Sequence, residues 1–144
     1  MKKNSFTLIE ILIVIAIIGI LAAAAIPKFL IGQEIARVAE AKQLLGAIRE
    51  SELSYFSSYR IYTNNYNSLA FAAGPRLTQD RANRVYSAYW TFIITGAPST
   101  TTFTVTATRR SSYLGGSGAT YSGRTITINV SGLSGGTHPY ARSS

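Results

Sequence analysis

The sequence of 144 residues has no cysteine, one histidine and one aspartate. Without cysteine the chain has no disulfide, no thiolate zinc site and no thiol nucleophile. His138, Asp80 and five glutamates are too few groups for a histidine-based triad, a two-carboxylate hydrolase or a carboxylate metal cage. We therefore expect no catalytic activity, no cofactor and no metal site.

Charge is also absent from a long apolar run near the N-terminus. Phe6 to Ile26 is 21 residues long, and Glu10 is its only charged residue. A helix of that length spans roughly 30 Å, the hydrocarbon thickness of a bilayer. Lys2 and Lys3 precede the run and predict that the N-terminus is cytoplasmic, with the head on the other side of the membrane.

Glu10 argues against two simpler interpretations of this segment, a removed signal peptide and a passive single-pass anchor. An acid inside an apolar run costs about 2–3 kcal/mol on insertion scales, and neither interpretation requires one. An intramembrane carboxylate instead indicates a cationic partner. The α-amine of Phe6, exposed if the chain were cut after Ser5, is a candidate.

Residues 2–10 read Lys-Lys-Asn-Ser-Phe-Thr-Leu-Ile-Glu and lead into the apolar run. This segment resembles the class III leader and N-terminal helix of type IV pilins and type II secretion pseudopilins. The resemblance implies that residues 1–5 are a leader, that a membrane prepilin peptidase cuts between Ser5 and Phe6, and that Phe6 is then N-methylated. The family mostly has Gly before the cut, where this chain has Ser5.

The resemblance also implies that Glu10 pairs with the Phe6 amine of a neighbouring subunit during assembly. Charges attract strongly in an apolar medium, and an unpaired buried charge costs roughly 3–5 kcal/mol. Glu10 would thus set the register between subunits. The alternative is that its carboxylate snorkels to the cytoplasmic headgroups.

Gly19 and Pro27 interrupt the apolar segment, residues 6–27. Gly weakens a helix, and Pro27 removes a backbone donor and crowds the carbonyl of Ala23. In related filaments the interval between such residues loses helical structure on assembly, so the resemblance predicts a helix break here. A single proline kink is the alternative.

Helical periodicity continues over residues 28–58, which predicts an amphipathic helix continuous with the apolar segment. Glu34 with Arg37, and Arg49 with Glu52, have the i,i+3 spacing of helical ion pairs. Aromatic side chains near the helix end predict a hydrophobic plug between helix and sheet. The apolar stripe comprises Ile31, Ile35, Val38, Ala41, Leu45, Ile48, Phe56 and Tyr59, and the plug comprises Tyr55, Phe56, Tyr59, Tyr62, Tyr66 and Phe71.

Residues 59–144 are predicted to form a β-sheet head. Apolar residues alternate with threonine around residues 90–95, 102–108 and 125–130, the pattern of half-buried antiparallel strands. Residues 60–88 and 109–123 are expected to be mostly loop, and His138 to lie in a surface loop. The predicted fold is α+β, with a long N-terminal helix packed by its outer half on a three- to four-stranded antiparallel sheet.

The head carries eight arginines and one acid, Asp80. Such a surface, repeated along a fibre, could bind DNA or acidic polymers, although a solubilising surface is the alternative. From residue 81 onwards there is no Asp or Glu, which argues against the calcium site of major pseudopilins. The candidate polyanion-binding residues are Arg76, Arg81, Arg84, Arg109, Arg110 and Arg124.

These features together favour a structural subunit of a type IV pilus. Its expected partners are other copies of itself, the prepilin peptidase and the inner-membrane assembly platform. We expect it to reside in the inner membrane first and in an extracellular fimbrium after assembly. A type II secretion pseudopilin and a monomeric membrane-anchored binding module with an arginine-rich head remain alternatives.

Overall fold

A computed structural model of the chain describes residues 6–70, 78–80, 84–111 and 118–141. One helix, α1 (Leu8–Tyr59), accounts for 52 residues. It follows the N-cap Thr7 and is closed by the C-cap Arg60, whose N–H donates to the carbonyl of Phe56 at 2.8 Å and whose left-handed backbone (φ 58°) ends the helix. A helix of 52 residues is about 78 Å long.

The helix is continuous through Gly19 and Pro27 in the single chain. Pro27 lies in the stretch whose side chains are mostly exposed. No packing against the head therefore opposes a local adjustment of the helical backbone around the proline. Loss of helical structure in this interval on assembly stays a prediction.

The sheet is antiparallel throughout, and its strand order follows the chain from β1 to β6. The three predicted strands are present as β3, β4 and β5, and β6 forms a hairpin with β5. Two strands of two residues each extend the β3 edge, in a region expected to be mostly loop. The strands are β1 (Thr78–Gln79), β2 (Val85–Tyr86), β3 (Trp90–Thr95), β4 (Thr104–Arg109), β5 (Thr125–Asn129) and β6 (Gly132–Gly135).

The core lies between one face of this sheet and the outer half of α1. Period-two alternation buries Trp90 and Phe92 of β3 and Val105 of β4, whereas the intervening threonines stay partly exposed. The helix packs mainly on β4 and β5. This arrangement confirms the predicted α+β fold.

The face that α1 buries differs in part from the predicted stripe. Val38, Ala41, Leu45 and Ile48 are buried as expected. Ile31, Ile35 and Tyr59 are 45%, 48% and 66% exposed. Two acids, Glu34 and Glu52, occupy inner positions instead, each completely buried. Periodicity correctly identified the centre of the stripe and was wrong at both of its ends.

The aromatic plug at the end of α1 is present. Phe56 stacks on Tyr62 with ring centroids 4.6 Å apart, and Tyr62 contacts Phe103 at 4.9 Å. Tyr62 also donates its backbone N–H to the carbonyl of Ser99, which ties the chain after the helix to the β3–β4 connection. The sixth residue of the predicted plug, Phe71, lies outside the described residues. The plug thus joins helix to sheet as expected, except that Tyr59, which stacks on Tyr55, is 66% exposed.

Candidate functional site

The first candidate site is the N-terminal half of α1, which nothing in the described chain covers. The helix is long and apolar enough to cross a bilayer, and none of its most apolar stretch is buried by the head. Phe6, Leu8 and Ile20 are 79%, 84% and 74% exposed. So much contiguous apolar surface requires a lipid or a protein partner.

Glu10 lies near the start of this surface and forms a capping box with Thr7. Its carboxylate accepts hydrogen bonds from the backbone N–H and the hydroxyl of Thr7, both at 3.1 Å, and the Thr7 hydroxyl accepts from the Glu10 N–H at 3.3 Å. Two of the N–H groups that a helix start leaves unpaired are thereby satisfied. Thr7 was missed as a site residue, although Thr-x-x-Glu before an apolar run is the sequence signature of this motif. Ser5, the residue predicted to precede the cleavage, lies outside the described residues.

The second site is a buried ionic cluster where the head begins. The Arg109 guanidinium donates to both carboxylate oxygens of Glu34, at 2.8 and 3.1 Å, and Arg37 donates to the same carboxylate at 3.1 Å. The Nε2 atom of His138 lies 3.2 Å from the Glu34 carboxylate. Trp90 covers the cluster from β3 and donates its ring N–H to the Arg37 carbonyl at 3.0 Å.

Two expectations are corrected here. His138, expected in a surface loop, is only 2% exposed, because its ring is enclosed by Trp90, Tyr121 and Tyr140 beside Glu34. Arg109, expected to contact polyanions, is 4% exposed, because its charge neutralises Glu34 inside the head. The predicted Glu34–Arg37 pair is present.

The burial of this cluster shifts its titration. Burial by itself raises the pKa of Glu34, but hydrogen bonds from Arg109, Arg37 and His138 outweigh it and lower that pKa. For His138 desolvation is the largest effect and lowers the pKa, against the opposing attraction of Glu34. Both shifts favour an ionised carboxylate beside a neutral imidazole at neutral pH.

Glu52 is a second buried acid, at the other end of the head. Its Oε2 atom accepts the backbone N–H of Thr63 at 3.0 Å, and burial raises its pKa to about 7 despite that bond. The predicted Arg49–Glu52 pair is wrong. Arg49 instead donates three bonds of 2.6–3.2 Å to the carbonyls of Asn129 and Val130 in the β5–β6 turn, since those carbonyls lie directly beside it.

The remaining predicted arginines divide into two groups. Arg76 and Arg81 lie outside the described residues. Arg84 and Arg124 are exposed and Arg110 is half-buried. Arg84 pairs with Asp80 at 2.7 Å. The part of the chain that the structure describes contains no group of three or more acidic or histidine side chains able to hold a metal.

The long helix with an uncovered apolar half and an antiparallel sheet on its outer half is the α+β arrangement that the resemblance to pilins implies. Comparison with known proteins agrees, because residues 1–26 match the family described as "Prokaryotic N-terminal methylation motif". The chain is 45% identical over 71 residues to a protein of Myxococcus xanthus named "Type IV major pilin protein PilA". The resemblance to the type IV pilin family is thereby confirmed.

Two further relatives match this chain over segments of comparable length. The chain is 38% identical over 87 residues to a "Fimbrial protein" of Moraxella nonliquefaciens, and 37% identical over 73 residues to a "Type IV major pilin protein PilE1" of Neisseria gonorrhoeae. The three matches cover 49%, 60% and 51% of this chain. The chain spans only 32%, 51% and 44% of the relatives' own lengths.

Proposed function

We propose that this protein is a structural subunit of a type IV pilus, without enzymatic activity. The observation that carries the proposal is the uncovered apolar half of α1, which has Glu10 in its first turn and continues directly into the head. In the membrane this surface contacts lipid, and in a filament it contacts copies of itself. A head-to-tail interface of this kind does not close, so it propagates into a fibre.

Assembly on this proposal needs a processed N-terminus. The prepilin peptidase removes residues 1–5, Phe6 is N-methylated, and the new amine meets Glu10 of a neighbouring subunit. In the single chain the Glu10 carboxylate already faces Thr7, next to Phe6. The Phe6 amine of a neighbouring subunit would therefore replace the neutral Thr7 donors at the Glu10 carboxylate. A charged donor forms the stronger hydrogen bond.

The subunit begins in the inner membrane, with the head outside the cytoplasm, and ends in an extracellular filament. Other partners are the inner-membrane assembly platform and, at the filament surface, DNA or acidic polymers. A pseudopilin of a secretion system and a monomeric anchored module are not favoured, because the relatives named above carry the names of pilins and a fimbrial protein.

The test compares Glu10→Ala with Glu50→Ala in cells lacking the native gene. Both variants remove one negative charge from α1, but Glu50 is exposed on the half that carries the head. We expect the yield of sheared surface filaments to fall at least tenfold for Glu10→Ala, because the cost of an unpaired buried amine is roughly 3–5 kcal/mol. Glu50→Ala should assemble normally.

Filaments at undiminished yield with Glu10→Ala would refute the register role of this carboxylate. If the wild-type chain restores secretion without any surface fibre, the pseudopilin alternative is correct. A protein that stays monomeric in the membrane in all three strains would instead support the anchored module.

A further inference from the structure

Apart from Arg60 at the end of α1, the arginines that the structure describes in the head lie towards one end, the end nearest the apolar half of α1. The direction of β4 shows this, because its first residue lies opposite Asn129 near Arg49, whereas its last, Arg109, binds Glu34. Arg110 and Arg124 adjoin Arg109, whose N–H donates to the Arg124 carbonyl at 2.8 Å. We call this end the basal surface, comprising Arg37, Arg84, Arg110, Arg124, Tyr86 and Tyr89.

Charge on the basal surface is not cancelled within the described chain. Glu34 is buried between Arg37 and Arg109, and Asp80 pairs with Arg84. Arg110 and Arg124 form no ion pair with any described carboxylate, and Glu40, beside Arg37 and Tyr89, is the third acid on this side. With the buried Arg109 added to the four arginines of the basal surface, five arginines are thus set against three carboxylates.

Tyrosine rings accompany these cations. The Arg110 guanidinium lies over Tyr86 at 5.3 Å, and Tyr89 lies between Arg37 at 4.6 Å and Arg109 at 5.3 Å. Both tyrosines are half-buried. Tyrosine with arginine is the composition that proteins place at the boundary between membrane and water.

The height of the basal surface above a bilayer follows from the helix rise. Glu34 comes seven residues after Pro27, the end of the apolar segment, which is about 10 Å along the helix. The headgroup layer of one leaflet accounts for roughly 5–7 Å of that distance. The cations thus lie within the Debye length of about 8 Å from the lipid surface.

We propose that the basal surface docks the head onto anionic lipid headgroups while the subunit waits in the membrane. Arg110 and Arg124 supply the uncompensated charge, and the tyrosines contact the interface. Exposed Phe29 and Ile31, between the apolar segment and the head, extend the apolar contact to the level of the headgroups. The inference rests on the proposed membrane-resident stage of the subunit.

The experiment uses the full chain in nanodiscs. Because the chain has no cysteine, one introduced cysteine gives a unique fluorescent label. Ser122→Cys places it on an exposed residue near Arg124, and Asn64→Cys places it on an exposed residue beyond the end of α1. A quencher attached to lipid headgroups then reports which end approaches the bilayer.

We expect stronger quenching at Ser122→Cys in bilayers with about 30% phosphatidylglycerol than in pure phosphatidylcholine, and loss of the difference near 0.5 M salt. The double change Arg110→Gln with Arg124→Gln should abolish the difference, since each cation near an anionic surface contributes about fivefold in the docking equilibrium. Arg60→Gln, at the exposed C-cap of α1, is the matched control. The Asn64→Cys label should not respond to lipid charge.

Equal quenching in both lipid compositions would overturn the inference. Quenching that increases with the protein-to-lipid ratio would show that the basal surface binds a second copy of the chain instead of lipid. Binding of duplex DNA at physiological salt without a response to anionic lipid would assign it to nucleic acid. Failure of the chain to enter nanodiscs at all would refute the membrane stage of the proposed function, a different result from insertion without docking.

Discussion

At the scale of single residues, the two buried acids of α1 show that the local environment can shift the pKa of the same side chain in opposite directions. Glu34 and Glu52 are both fully buried. Glu34 accepts charged donors from two arginines, and its pKa falls. Glu52 accepts one neutral N–H, its Oε1 atom makes no hydrogen bond within the described chain, and its pKa rises to about 7. The partner, rather than burial, decides the direction.

The raised pKa of Glu52 predicts a stability that falls as pH rises. The folded state binds the proton more tightly than the unfolded state, so stability present at low pH is lost as the pH passes from about 4.5 to about 7. Glu52→Gln keeps an acceptor for Thr63 and removes the ionisation. Thermal unfolding in detergent should show this variant more stable than wild type at pH 8.5, by on the order of 2 kcal/mol, with a smaller difference at pH 5.

Glu50→Gln makes the same change at an exposed position and is the control for the general loss of charge. Its unfolding should follow the wild-type curve at both pH values. Parallel pH profiles for wild type and Glu52→Gln would show that Glu52 is ionised to the same extent in the folded and unfolded chain, contrary to this account.

At the scale of elements, the buried cluster fastens α1 to two distant parts of the head. Arg109 ends β4, and His138 follows β6, yet both meet Glu34 near the middle of the helix. The 75 and 104 residues between these partners leave no local sequence signal. The sequence identified Glu34 only as the i,i+3 partner of Arg37, a spacing that fits an exposed helical ion pair equally well.

Removing one charge of this cluster should destabilise the head strongly. Arg109→Met leaves Glu34 with less compensation in a buried site, at a cost of about 3–5 kcal/mol in denaturant unfolding. The double change Glu34→Leu with Arg109→Met should recover much of that loss, because a buried ion pair is often replaceable by apolar side chains.

Arg124→Met is the exposed control and should change the free energy of unfolding by less than about 0.5 kcal/mol. If Arg109→Met and Arg124→Met unfold alike, the cluster adds nothing to the attachment of helix and sheet. If the double change is as unstable as Arg109→Met, the loss comes from packing and not from the orphaned charge.

At the scale of the whole molecule, the two halves of α1 have different partners. The outer half is covered by the sheet, whereas the apolar segment, residues 6–27, is uncovered and carries one carboxylate, Glu10. The chain is thus a folded head on a rod whose remaining surface requires a lipid or protein environment. On the proposed processing, removal of residues 1–5 gives the rod the amine with which Glu10 would pair.

Processing at Ser5–Phe6 can be read directly from the exported protein. Mass spectrometry of sheared material should give a chain that starts at Phe6 and carries one additional methyl group on its amine. Ser5→Gly should be cut at least as completely, since both residues are small, whereas Ser5→Leu should accumulate uncut in the membrane. Filaments composed of chains that retain Met1 would contradict the proposed processing.

The sequence by itself determined the features that depend on near neighbours. A run of 21 residues with one charge specifies a bilayer-length helix, and threonine alternating with apolar residues specifies half-buried strands. Only the tertiary structure decided which charges are buried, since Arg109 and His138 reach Glu34 through the folding of the whole head. Periodicity is a property of short windows, whereas burial depends on contacts between residues far apart in the chain, so the same arginine could be read as a surface ligand and prove to be an internal counter-ion.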